Sequence, residues 1–163
     1  MVLRNREKQP TISSVVVQYV QFHADDAEQN SFALLAVVGQ DTRKFANLPA
    51  QFMPIIGALR RLHRLGVVHG DARLPNIVYC GARGWMWIDM NVPFHLSSSG
   101  FLSDWWCLLK DICCIAPSFN VSSIVESDLS QLYEFDAAGS FLRVVEAAFD
   151  AFESRLAALL QPS

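Results

Sequence analysis

The chain has 163 residues, 52% of them hydrophobic and 18% charged, which suits one packed domain and excludes disorder on compositional grounds. Thirteen basic against 16 acidic residues leave a formal charge of -3, so nothing electrostatic calls for nucleic acid or an anionic membrane as partner. The most apolar run, Trp105 to Ala116, is interrupted by Lys110 and Asp111, and the charged start lacks a signal-type apolar core. The expectation is a soluble intracellular chain with no membrane partner.

In chain order, Ile12–Phe22 and Ser31–Val38 are β-branched and aromatic around a polar turn, which predicts an antiparallel pair. The polar stretch after Gly39, ending at Pro49, reads as a connector. From Ala50 to Leu65, Phe52, Ile55, Ile56, Leu59 and Leu62 recur at helical spacing and Gly66 supplies the stop. Arg60 to Arg64, "RRLHR", read as its solvated polar face and last turn. "NIVY" and "WMWID" flank the glycine-bearing "CGARG" and predict a hairpin. Leu96–Gly100, "LSSSG", reads as flexible, with Ser103 or Asp104 capping a helix that Pro117 ends. Ser122–Phe135 is a further helix candidate. A last helix is expected from the apolar stripe Phe141, Val145, Ala148, Phe149, Phe152, Leu156, Leu159 and Leu160. The fold class is therefore α+β, with a small β part over residues 1–40 and a mostly helical part over 41–163. Trp85, Trp87, Trp105 and Trp106 read as core or partner contacts. Cys80, Cys107, Cys113 and Cys114 have no C-x-x-C spacing and read as buried free thiols, with a zinc site disfavoured.

Chemistry concentrates in "HGDARLPN", residues 69–76. Phosphoryl transfer needs a carboxylate for the attacking hydroxyl, hard oxygen ligands for magnesium, and a cation near the transferred group. Asp71 supplies the base, Arg73 the cation and Asn76 a magnesium ligand, while Asp89 at the end of the hairpin can bring a second ligand beside Asn76. An Asp and an Asn also shape ordinary turns. Against that stand four features in order and at workable spacing: the loop, the hairpin, the second Asp and a helix Asp.

"LHRLGVVHGDARLPNIV", "WMWIDMN" and "SDWWCLLKDI" resemble the catalytic loop, metal-binding loop and following helix of the protein-kinase-like superfamily. H-G-D in place of H-R-D resembles the Rio and aminoglycoside phosphotransferase groups, and "VHGDARLPNIV" looks closest to the kinase-like C-terminal domain of Crinkler effectors. The resemblance covers roughly Ser31 to Ala116. It implies a mainly helical large lobe with only a remnant of the β small lobe, residues 1–40 carrying the last small-lobe strands and the approach to a hinge at 39–44. By the same match Asp71 is the catalytic Asp, Arg73 faces the γ-phosphate, and Asn76 and Asp89 hold magnesium and ATP. His69 packs structurally and Asp104 holds the backbone of the catalytic loop. The implied activity is transfer from magnesium-ATP to a hydroxyl, Ser/Thr of a protein first, with a small-molecule acceptor or an inactive pseudokinase-like binding module as alternatives. A Crinkler relationship implies action in a host nucleus or cytoplasm.

The sequence departs from the family pattern in three places. Asp89-Met90-Asn91 stands for D-F-G, though Asn tolerates left-handed backbone. No A-P-E lies between Asp89 and Asp104, and no G-x-G-x-x-G or V-A-I-K precedes Ile12. The expectation is thus a truncated atypical kinase-like domain. Its uncovered apolar strands make self-association a further expectation.

Overall fold

The computed structural model describes residues 39–90 and 98–161, together with the backbone of 19–22 and 32–35. Strands β1 (Tyr19–Phe22) and β2 (Phe32–Leu35) pair antiparallel with Tyr19 opposite Leu35, as the first two apolar runs predict. The remainder of those runs and the Asn91 of the metal-loop triplet lie outside the described residues.

A second antiparallel sheet has the order β3–β4–β5: β3 (Gln40–Asp41), β4 (Ile77–Tyr79) and β5 (Trp85–Trp87). The stretch after Gly39 is therefore more than a connector. Gln40 and Asp41 pair with Tyr79 and Val78, and the buried Thr42 donates its hydroxyl to the Leu74 carbonyl at 3.1 Å. Gly39 makes this approach feasible, because a Cβ there would lie 2.5 Å from Val78 Cγ2. The β4–β5 hairpin closes through a 3-10 turn at Gly81–Arg83. All three β5 residues, Trp85, Met86 and Trp87, are buried.

Helix α1 (Phe52–Arg64) follows a 3-10 turn whose first residue is Pro49, a position where its missing N–H costs nothing. Phe52, Ile55, Ile56, Leu59 and Leu62 are fully buried, and Gly66 at φ 70° donates to the His63 carbonyl and ends the helix. The "RRLHR" segment is a solvated face only in part: Arg64 is exposed, but two of its polar residues are not. His63 is fully buried, and Arg60 is drawn inward by carboxylates that come from far along the chain. Arg60 pairs with Glu146, with Asp150 at 2.9 Å and with Glu153 at 3.1 Å, and its guanidinium lies 4.8 Å from the Phe149 ring centre. Arg64 also binds Glu146, through Nε and Nη2 at 2.6 Å each.

Helix α2 (Ser98–Ile115) starts earlier than Ser103. Ser98–Gly100 are helical, and neither Ser103 nor Asp104 is its cap. Tertiary contact offsets the weak propensity: the Ser98 N–H is taken by the Gly139 carbonyl at 3.2 Å, and at Gly100 the missing side chain lets the turn lie close to Val68, whose Cγ1 a Cβ would meet at 3.0 Å. Downstream, the expected helix over Ser122–Phe135 shrinks to α3 (Glu126–Ser130). Tyr133–Phe135 instead forms β6, which pairs with β7 (Phe141–Val144). Asp136 makes this hairpin by accepting from the N–H groups of Ala138 and Ser140, with Gly139 at φ 78°. Phe141 therefore belongs to a strand, and the last helix, α4 (Glu146–Leu159), begins after it.

Fully buried side chains of α1, α2, β5 and α4 share one core, in which Trp105 packs against Phe149 and Phe152. The architecture is mixed α+β. Cys80, Cys107 and Cys113 are only half-buried and Cys114 is exposed, so the expectation of buried thiols fails. Among the described residues no helix is long and apolar enough to cross a membrane.

Candidate active site

The loop from His69 to Asn76 passes over α2, and two carboxylates of that helix hold its backbone. Asp104, 1% exposed, accepts the His69 N–H at 2.7 Å on Oδ2 and the Gly70 N–H at 2.9 Å on Oδ1. Seven residues on, Asp111 accepts the Leu74 N–H at 2.9 Å. Seven residues make almost two helical turns, so both carboxylates fall on one face. Gly70 sits at φ 84°, a backbone state that glycine adopts without strain.

His69 is the hub beneath the loop. Its Nε2 lies 3.0 Å from the Ile88 carbonyl, which can only accept, and its Nδ1 takes the Asp71 N–H at 3.2 Å. Those two bonds require the neutral ring with its proton on Nε2. Burial pulls the His69 pKa below its usual 6.5, against the opposing pull of Asp104, the Ile88 carbonyl, Asp71 and Asp89. The ring also packs edge-on against Trp87 at 4.9 Å.

Asn76 clamps Asp71 twice, donating Nδ2–H to its carbonyl at 3.0 Å and to its Oδ2 at 2.8 Å. The Asn76 carbonyl in turn accepts the Ile88 N–H at 2.9 Å, which brings the hairpin end, and hence Asp89, alongside the loop. Asp89 is the one non-glycine with positive φ, 54°, among the described residues. Such a conformation costs roughly 1–2 kcal/mol and is held here by the hairpin and the loop together. Arg73 is more than half exposed and its Nη2 lies 3.5 Å from Asp111 Oδ1, a loose surface pairing that leaves the side chain free to reorient.

Thus His69, Asp71, Arg73, Asn76, Asp89 and Asp104 all belong to one junction of loop, hairpin and helix. Four further residues shape it that motif reading passes over: Asp111, Thr42, His63 and Tyr133. Asp111 is visible in the sequence as the carboxylate two turns after Asp104. Thr42 and Tyr133 carry no local signal, since their partners lie 32 residues away at Leu74 and 70 away at His63.

No group of three or more His, Cys, Asp or Glu able to hold a metal occurs among the described residues. Asn76 and Asp89 together offer an amide oxygen and a carboxylate. That donor set fits magnesium, which commonly takes one or two protein oxygens and completes its shell with water and phosphate. Compared with known proteins, the chain matches no family model and no curated protein.

Proposed function

We propose that the chain is a protein-kinase-like phosphotransfer domain of the H-G-D type, taking magnesium-ATP and phosphorylating a hydroxyl, with protein Ser/Thr as the acceptor class. The observation that carries this reading is the Asp71 clamp. The catalytic carboxylate is fixed from one side by Asn76, while the two residues before it hang from a single buried helix carboxylate, Asp104. Preorganisation of this kind is what a reaction catalysed mainly by positioning requires.

In this reading Asn76 holds Oδ2 of Asp71, and the other carboxylate oxygen meets the acceptor hydroxyl, orients it and takes its proton as attack proceeds. The Asn76 amide oxygen and the Asp89 carboxylate hold magnesium, which neutralises phosphate charge when bound. Arg73, swinging from its weak pairing with Asp111, reaches the transferred phosphoryl group as the cation two residues after the base.

A second reading keeps the same junction as a module that binds nucleotide without transferring phosphate. Thermal unfolding with and without ATP and magnesium, beside Asp89→Ala, tests both. A ligand at a hundredfold excess over Kd stabilises by about 2.7 kcal/mol, and that gain disappears in Asp89→Ala. Transfer to a hydroxyl acceptor that Asp71→Asn abolishes, with nucleotide binding kept, selects the first reading. Binding without transfer selects the second, and a folded chain that shows no shift overturns both. A screen of Ser/Thr peptides against small hydroxylated acceptors then assigns the acceptor class.

A further inference from the structure

Behind the loop, four buried side chains from three elements meet: His63 on α1, Asp104 and Trp105 on α2, and Tyr133 on β6. With the His63 ring neutral, as its burial favours, their hydrogen bonds admit one assignment of protons. The Trp105 indole N–H can only donate, and it lies 2.6 Å from the Tyr133 hydroxyl. Tyr133 OH contacts His63 Nδ1, and His63 Nε2 lies 3.1 Å from Asp104 Oδ2. Asp104 already accepts two loop N–H groups, so its carboxylate needs a third donor rather than an acceptor. His63 must therefore carry its proton on Nε2 and leave Nδ1 bare, and the one donor that reaches Nδ1 is Tyr133.

We propose that Tyr133 is a positioning residue for the His69–Asn76 loop: with its polarity set by the Trp105 N–H, its hydroxyl fixes the His63 tautomer and so keeps Asp104 oriented toward the His69 and Gly70 N–H groups. Its importance for phosphoryl transfer rests on the reading of Asp71 as the base. The hydrogen-bond chain itself does not. Burial also holds His63 below its usual pKa, against the pull of Asp104. The titratable groups facing the ring are Asp104 from α2 and Tyr133 from β6. Its other ring contacts among the described residues are with Phe101 and Trp105, while Arg60 and Arg64 on the same helix turn away to Glu146.

Tyr133→Phe removes one oxygen and strands two buried polar atoms, His63 Nδ1 and Trp105 Nε1. The experiment follows the imidazole nitrogens of His63 by NMR, together with amide exchange at His69 and Gly70, in the full chain. The wild-type ring is expected as the Nε2–H tautomer alone. In Tyr133→Phe the Nδ1–H tautomer appears beside it, and the two loop amides exchange about tenfold faster or more. Phe141→Leu serves as the packing control, since Phe141 touches Phe101 and Tyr133 by ring contact and takes no part in the chain of protons. An unchanged His63 tautomer and unchanged loop amides in Tyr133→Phe overturn the proposal, as does the same response in Phe141→Leu. If the NMR response appears while the wild type binds no nucleotide, the positioning chain stands and the kinase reading falls.

Discussion

Two polar assemblies grow from neighbouring turns of the same helix and are built in opposite ways. His63 carries a fully buried, directional network that joins Asp104, Tyr133 and Trp105. Arg60, three residues earlier, gathers three carboxylates at the rim of α4, among them Asp150, whose side chain is 71% exposed, and leaves its own Nε without a partner. The first tolerates no missing atom, because each buried group left behind has no water to turn to. The second degrades gradually, because most of its carboxylates rehydrate when the cation leaves. A site that needs fixed geometry is thus tied to the first kind of assembly, and the α1–α4 contact is left to the second.

Asp104→Ala gives the largest expected effect. It orphans the His69 and Gly70 N–H groups and His63 Nε2 at once, and at about 1–3 kcal/mol each the loss is at least about 3 kcal/mol by urea unfolding. A loss below about 1 kcal/mol would erase the distinction between the two assemblies. Arg60→Met comes next. It keeps the apolar stem over Phe149 and removes the charge, for a loss of about 1–2 kcal/mol summed over three partly exposed pairs. That loss shrinks in roughly 1 M salt, where the screening length is about 3 Å, whereas the Asp104→Ala loss stays constant. Equal salt dependence of the two variants breaks the comparison.

The third contrast is in pH. His63 and His69 both have pKa values lowered from 6.5, chiefly by burial. The unfolded chain therefore binds more protons than the folded chain just below that value. Stability is complete above pH 6.5 and falls as pH drops toward the folded pKa values, by at most about 1.4 kcal/mol per pH unit for each ring. Glu146, lowered from 4.5 first by its hydrogen bonds to Arg64, holds the Arg60 assembly intact until pH falls below that value. Stability curves of wild type and Arg60→Met should accordingly run parallel between pH 6.5 and 4.5 and converge only below it.

Where sequence pattern and structure agree, the signal is local. The apolar spacing of α1 and the glycines of the β4–β5 hairpin act within a few residues of themselves. Where they part, the deciding contact is distant. Arg60 and His63 look solvated on an amphipathic helix and are buried only because Glu146 lies 86 residues on and Asp104 41 residues on. Phe141 fits a helical stripe as well as it fits a strand, and the Asp136 turn decides between them. Ser98–Gly100 have poor helical propensity, yet they form the first turn of α2, where the Ser98 N–H meets the Gly139 carbonyl 41 residues on. Tyr133 had no signal in the sequence, since a lone tyrosine beside aromatic residues does not reveal the histidine it will meet.

The paired carboxylates of α2 carry a consequence for how this segment can vary. Asp104 and Asp111 are about 10 Å apart along the helix axis at 1.5 Å per residue, and they grip the loop at His69 and at Leu74. The helix thereby works as a gauge against which the loop length is cut. Adding or removing one residue between the two carboxylates would swing Asp111 by about 100° around the axis and release the Leu74 end. A compensating change in the loop cannot restore that angle. Insertions and deletions are expected to accumulate before Ser98 and after Ile115, with the seven-residue interval between the two acids kept at constant length.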